Sequence, residues 1–144
     1  MKPPTDVFVE SSALVAWILW EARGREVATC LRATKIAWLS ALAVPETCRA
    51  LLRAASAGRV DDAYVRRARR RLAGLSGACR IIPVDEDILE RAGQAFPVEP
   101  VRTLDAVHLA SLERAQSVSA HVALLSLDDR VRANASTMRI RVLP

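Results

Sequence analysis

Five short runs of apolar, mostly β-prone residues alternate along this chain with longer segments of helical spacing. The runs lie at residues 7–9, 36–39, 80–84, 122–125 and 140–143. Alternation of this kind predicts a parallel sheet, because parallel neighbours need a crossover connection that a helix usually supplies. The sequence therefore predicts an α/β fold of three layers, in which a five-stranded parallel sheet carries helices on both faces.

The size and composition of the chain predict one globular domain over residues 1–144. Of the 144 residues, 51% are hydrophobic and 26% are charged, a mixture that excludes disordered and fibrous classes. Three cysteines, Cys30, Cys48 and Cys79, are an odd number without CxxC spacing. They indicate neither a disulfide framework nor a zinc knuckle, and a reducing cytoplasm is expected.

No membrane span or secretion signal is expected from the sequence. The apolar run at residues 13–20 lies between Glu10 and Glu21 and is far shorter than the roughly 20 residues that cross a bilayer. The formal net charge is +5, which favours a polyanionic or acidic partner.

Individual residues predict where several helices begin and end. Ser12 is predicted to cap a helix that Gly24 terminates. Pro45 suits the first position of a later helix, where its missing N–H costs no hydrogen bond. Asp85 and Thr103 are predicted to begin two further helices.

Four acidic residues are predicted to meet at one edge of the sheet. Glu10 and Asp128 follow the first and fourth strands, whereas Glu46 and Asp105 lie in the first turns of helices that start at the same edge. Ligands of open parallel sheets bind outside the carboxyl ends of the strands. The four carboxylates are therefore the candidate catalytic set.

Carboxylates that converge without an equally close basic residue repel one another unless a cation neutralises them. Oxygen ligands suit Mg²⁺, with Mn²⁺ as a substitute, and the lack of paired histidines and cysteines argues against zinc. Such a centre activates water for attack on phosphorus. We expect Glu10, Asp105 and Asp128 to bind the metal and Glu46 to complete the site.

Each acidic residue also has a structural interpretation. Glu46 and Asp105 are placed to stabilise helix N-termini through the macrodipole. Asp128 is a possible turn or cap residue, and the neighbouring Asp129 is an alternative site residue. Glu10 has the weakest structural explanation, because a carboxylate that leaves a buried strand is costly without a partner.

Four sequence blocks resemble the PIN-domain signature, and especially VapC-like toxins of toxin-antitoxin pairs. Residues 7–15 are similar to the family's apolar strand followed by Asp-Thr-Ser-Ala-Leu. Residues 39–51, 102–110 and 124–130 are similar to its second, third and fourth acidic blocks. The resemblance covers nearly the whole chain and keeps the family's order and spacing.

The resemblance implies a magnesium-dependent endoribonuclease toxin whose acidic pocket is formed by the four carboxylates. It implies that Ser12 and Ser126 form hydrogen bonds near the metal or the substrate. It also implies RNA as the substrate, products with a 5′-phosphate and a 3′-hydroxyl, a homodimer, and a cognate antitoxin protein that blocks the pocket.

One position departs from the family pattern. Glu10 stands where the family usually has Asp, and the extra methylene moves the carboxylate by roughly an ångström, a distance to which catalytic geometry is sensitive. The alternative is therefore a catalytically weakened PIN-like module that binds RNA or protein.

Several other residues allow more than one interpretation. Arg102 and Arg130 flank the predicted pocket and are candidates to contact phosphate or to pair with carboxylates. His108 is expected to pack on the apolar face of its helix rather than to bind a ligand.

The tryptophans and the arginine cluster also allow more than one interpretation. Trp17, Trp20 and Trp38 are expected in the core or in a dimer contact. Five arginines within residues 66–71 fan around a helix, so a solvated face is the default, and binding of RNA phosphates or of an acidic antitoxin segment is the alternative.

Overall fold

The structure, a computed structural model, describes residues 4–144 and contains the predicted five-stranded parallel sheet. Each neighbouring pair of strands is parallel, and the strand order is β3-β2-β1-β4-β5. The chain moves outward from β1 in opposite directions, so a topological switch point lies between β1 and β4. The strands are β1 (Asp6–Val9), β2 (Ile36–Ser40), β3 (Arg80–Ile82), β4 (Ala123–Leu125) and β5 (Val142–Leu143).

Helices cover both faces of the sheet, as the sequence predicted. Adjacent strand residues point to opposite faces: Phe8 and Leu124 belong to one hydrophobic core, whereas Val7 and Leu125 belong to the other. The helices are α1 (Ser11–Ile18), α2 (Gly24–Ala33), α3 (Ala43–Ser56), α4 (Asp62–Gly77), α5 (Glu86–Ala92), α6 (Thr103–Val118) and α7 (Asp129–Thr137). The predicted three-layer α/β class is confirmed. No helix within residues 4–144 is both long and apolar enough to cross a membrane.

The predicted ends of the first helix are wrong. Glu10, not Ser12, is the N-cap of α1, because its side chain accepts a hydrogen bond from the Ser12 backbone N–H. The helix ends at Ile18, and Trp20 then adopts a positive φ of 52°. Gly24 does not terminate α1 but is the first residue of α2.

The other predicted helix starts agree more closely with the structure. Thr103 begins α6, and the Asp85 side chain caps α5 by accepting a hydrogen bond from Ile88 N–H. Pro45 is the third rather than the first residue of α3. It still lies in the first turn, where the helix needs no donor from it.

Gly24 permits a close approach between α2 and the end of α1. A Cβ atom at this position would lie 2.5 Å from the backbone oxygen of Ala16, which is well inside van der Waals contact. Any side chain would force the two helices apart.

We predict that Gly24→Ala lowers the free energy of unfolding by about 1–3 kcal/mol, because the added methyl group overpacks this contact. Gly74→Ala is the matched control: Gly74 lies inside α4 with nothing within 4 Å of its Cβ position, so alanine should stabilise by about 0.5–1 kcal/mol. Urea unfolding of both variants measures the difference. Equal effects of the same sign would show that the contact is unimportant.

Candidate active site

The four predicted carboxylates line one cavity of about 580 Å³ at the carboxyl edge of the sheet. Glu10 directly follows β1, and Asp128 lies between β4 and α7. Glu46 and Asp105 lie in the first turns of α3 and α6. The strand topology thus brings together side chains that are separated by up to 118 positions in the sequence.

Glu10 is almost fully buried, with 2% of its surface exposed. Its carboxylate accepts hydrogen bonds from Ser11 Oγ at 2.7 Å, from Ser126 Oγ at 2.8 Å and from the Ser12 backbone N–H at 3.1 Å. The Ser12 hydroxyl is a fourth donor to the same carboxylate. These donors offset the cost of burying the charge.

The two predicted serines also join β1 to β4. Ser12 Oγ accepts a hydrogen bond from Leu127 N–H at 2.9 Å, and Ser126 Oγ accepts one from Asp128 N–H at 3.1 Å. Both hydroxyls therefore donate to Glu10 and accept from the backbone after β4. Their arrangement fixes the position of Glu10 relative to Asp128.

Ser11 is a site residue that the sequence analysis missed. Its Oγ lies 2.7 Å from Glu10 Oε1 and 3.2 Å from Glu46 Oε2, so the hydroxyl connects two of the four carboxylates. The only sequence signal was its position directly after Glu10, which did not indicate the direction of its side chain.

His108 is buried, as predicted, but it is also a polar member of the site. Its side chain is 1% exposed, and its Nε2 donates a hydrogen bond to Glu46 Oε1 at 2.5 Å. Its Nδ1 is buried without a hydrogen-bond partner among residues 4–144. Burial lowers the pKa of His108, but the Glu46 hydrogen bond and the charges of Glu10, Glu46 and Asp105 outweigh it, so the pKa is raised.

Arg102 lies between two of the carboxylates. Its Nε is 3.1 Å from Asp105 Oδ2, and its Nη2 is 3.7 Å from Asp128 Oδ2. Of the two roles open for Arg102, contact with phosphate or pairing with carboxylates, the structure contains the pairing. Arg130, the other flanking arginine, donates a hydrogen bond to the Pro100 carbonyl and is not among the residues that line the cavity.

Asp128 caps a helix and also lines the cavity. Its Oδ1 accepts hydrogen bonds from Arg130 N–H and Val131 N–H, each at 3.0 Å, and so caps α7. Its Oδ2 faces Arg102. The neighbouring Asp129 is exposed and does not line the cavity.

The electrostatics of Asp105 show that the carboxylates influence one another. Partial burial raises the pKa of Asp105, and the nearby charges of Asp128 and Glu10 raise it further, against the opposing effect of Arg102. Such a site has an excess of negative charge that a cation can neutralise.

Within the described part of the chain, no three His, Cys, Asp or Glu side chains are already grouped as ligands of one metal ion. The hydrogen bonds to Glu10 and the ion pairs of Arg102 hold the carboxylates in other arrangements. The donors nevertheless fit a hard divalent cation, because Glu10, Asp105 and Asp128 supply oxygen ligands to one cavity.

The chain is similar to known proteins in sequence and in fold. The PIN domain family matches residues 7–137. Ribonuclease VapC46 from Mycobacterium tuberculosis (strain ATCC 25618 / H37Rv) is 34% identical over 137 residues, which cover 95% of each chain. The crystal structure of PAE2754 from Pyrobaculum aerophilum is similar in fold, with a TM-score of 0.57 and 19% identity over 90% of this chain and 79% of that chain.

We predict that His108 stabilises the metal-free protein in a pH-dependent way. Because folding raises its pKa, the contribution is complete below the unfolded value of 6.5 and is lost as the pH rises through the folded value. Urea unfolding in EDTA between about pH 5 and pH 9 compares wild type with His108→Gln. The stability difference should be largest at the acidic end.

His121→Gln is the control, because His121 is exposed and lies outside the cavity. Its stability difference from wild type should stay small across the same range. A difference for His108→Gln that does not vary with pH would contradict the prediction.

Proposed function

The chain belongs to the PIN domain family, and from this premise we propose that it is a metal-dependent endoribonuclease. One observation carries the proposal: four acidic side chains from four separate segments line a single cavity at the switch point of the sheet. The 34% identity to Ribonuclease VapC46 supports RNA as the substrate.

Glu10, Asp105 and Asp128 hold the divalent ion, Mg²⁺ or Mn²⁺, in this proposal. When bound, the ion supplies Lewis acidity, which activates water and stabilises the leaving oxygen of the phosphodiester. Arg102 must release Asp105 and Asp128 to make room for it. Its side chain is 73% exposed and is then free to contact an RNA phosphate.

The remaining residues position the reacting groups. Ser11, Ser12 and Ser126 fix the Glu10 carboxylate by hydrogen bonds. His108 holds Glu46 at the cavity wall, where the carboxylate can accept a proton from the attacking water. Arg130 binds the substrate at the rim, outside the set of residues that line the cavity.

The biological setting is part of the same proposal. Resemblance to VapC-like toxins supports a homodimer and a cognate antitoxin protein that blocks the pocket. Unpaired Cys30, Cys48 and Cys79 fit a cytoplasmic protein acting on RNA.

A catalytically weakened module that binds RNA or protein is the second candidate. The observation in its favour is that Glu10 already accepts four hydrogen bonds and Arg102 already pairs with two of the other carboxylates. Calorimetry with Mn²⁺ separates the candidates, since a module without the chemistry does not bind the ion.

We predict that Asp105→Asn abolishes metal-dependent RNA cleavage, a loss of about a hundredfold or more. Replacing a residue that only supports a metal ligand costs up to about a hundredfold in activity, and replacing the ligand itself should cost at least as much. The fold should survive, because asparagine keeps the shape of the side chain. The measurement is cleavage of total RNA with Mg²⁺ and with EDTA. Asp129→Asn is the matched control and should cleave like wild type; equal cleavage by both variants would refute the assignment.

We predict that Arg102→Gln binds Mn²⁺ more tightly, by roughly threefold to tenfold, because the ion no longer displaces a guanidinium from two exposed ion pairs. Isothermal titration calorimetry measures the affinity. Arg130→Gln, which removes the same charge from a position without a carboxylate partner, should leave it nearly unchanged. Weaker binding by Arg102→Gln would show that this arginine does not compete with the metal.

A further inference from the structure

The acidic cavity continues into a basic region along α3. Arg49 and Arg53 follow Glu46 at helical spacing, and all three line the same cavity. Since an α-helix rises about 1.5 Å per residue, Arg53 lies roughly 10 Å along the helix from Glu46. The cavity therefore has a carboxylate end and an arginine end.

A second groove, of about 400 Å³, adjoins the arginine end. Trp20, Arg59, Tyr64 and Arg67 are among its lining residues. Glu21 lines the acidic cavity, and its Oε1 lies 3.9 Å from Arg59 Nη2 in the second groove. This ion pair makes the two grooves neighbours on one continuous surface.

Aromatic rings and arginines lie side by side in the second groove and next to it. Trp20 is 56% exposed, so of the two alternatives, core or dimer contact, it does not lie in the core, whereas Trp38 is buried in the core. The Arg71 guanidinium lies 5.5 Å from the Trp20 ring and 4.7 Å from the Trp17 ring. Arg67 lies 5.9 Å from the Tyr64 ring.

The arginines of α4 divide into two sets. All five, Arg66, Arg67, Arg69, Arg70 and Arg71, are exposed, and none forms an ion pair with another part of residues 4–144. Arg67 and Arg71 contact the aromatic rings, one helical turn apart. Arg66, Arg69 and Arg70 have no such contact, and the first two serve as an internal comparison.

We infer that six side chains form a track for the RNA strand next to the cleaved bond: Arg49, Arg53, Arg59, Arg67, Arg71 and Trp20. The inference rests on the proposed ribonuclease function. The arginines contact successive phosphates, and the exposed indole of Trp20 stacks on a base.

Single-stranded RNA explains these features better than an acidic protein segment does. The charge of an acidic peptide would explain the guanidinium groups but not the exposed Trp20 ring, on which any RNA base can stack. The track also begins at the carboxylates, where a phosphodiester must lie for cleavage. Stacking beside a basic groove is the common arrangement for binding single strands.

Binding of a fluorescent single-stranded RNA of about 20 nucleotides in EDTA tests the track. Arg67→Gln with Arg71→Gln should weaken binding roughly tenfold and reduce the slope of log affinity against log salt by about 1.4. Arg66→Gln with Arg69→Gln removes the same charge and should weaken binding less than about threefold. Trp20→Ala should weaken binding by about tenfold without changing the slope.

Cleavage of RNAs of two lengths separates this inference from the proposed function. The Arg67 and Arg71 double variant should cleave a four-nucleotide RNA like wild type but cleave the long RNA several times more slowly.

Equal loss of RNA binding in both double variants would overturn the track. So would unchanged RNA binding together with lost binding of a polyglutamate peptide, which would identify an acidic protein surface. Wild type that binds long RNA along these residues but never cuts it would refute the nuclease and leave the track standing.

Discussion

The buried carboxylate of Glu10 is the group on which the site depends. A charge that leaves the central strand and is removed from water needs several donors, and three serine hydroxyls and one backbone N–H supply them. Two of these serines also bind the backbone after β4. The hydrogen bonds that stabilise the Glu10 charge therefore also connect the end of β1 to the end of β4, where the cavity opens.

Two basic side chains partly neutralise the carboxylates of the cavity. Arg102 pairs with Asp105 and Asp128 from the solvent side, whereas His108 pairs with Glu46 from the buried side. The His108 side chain is shielded from solvent and holds Glu46 in place. The exposed pairs are weak, so Arg102 is the one that a cation or a phosphate can displace. In the proposed function, the buried side of the cluster therefore contributes stability and the exposed side binds the metal or the phosphate.

Particular residues show how far the sequence predicted the site. The positions of Glu10, Glu46, Asp105 and Asp128 at one sheet edge followed from strand order and helix starts, because these depend on local patterns. The roles of Glu10 as helix cap, of Ser11 as a link between carboxylates and of His108 as the partner of Glu46 did not. Each depends on side-chain direction, which a pattern of polar and apolar residues does not specify. The exposure of Trp20 was not predicted for the same reason, since its positive φ follows the end of α1.

The sequence by itself determined the parallel α/β architecture, because alternating strand and helix periodicities leave few other ways to bury the apolar residues. It also determined which acidic residues could meet, since strand ends of a parallel sheet share an edge. Only the tertiary structure decided which basic side chains would pair with these carboxylates and where the basic surface would lie. Those features arise from residues far apart in the chain, because their contacts depend on how the helices pack and not on their spacing in the sequence.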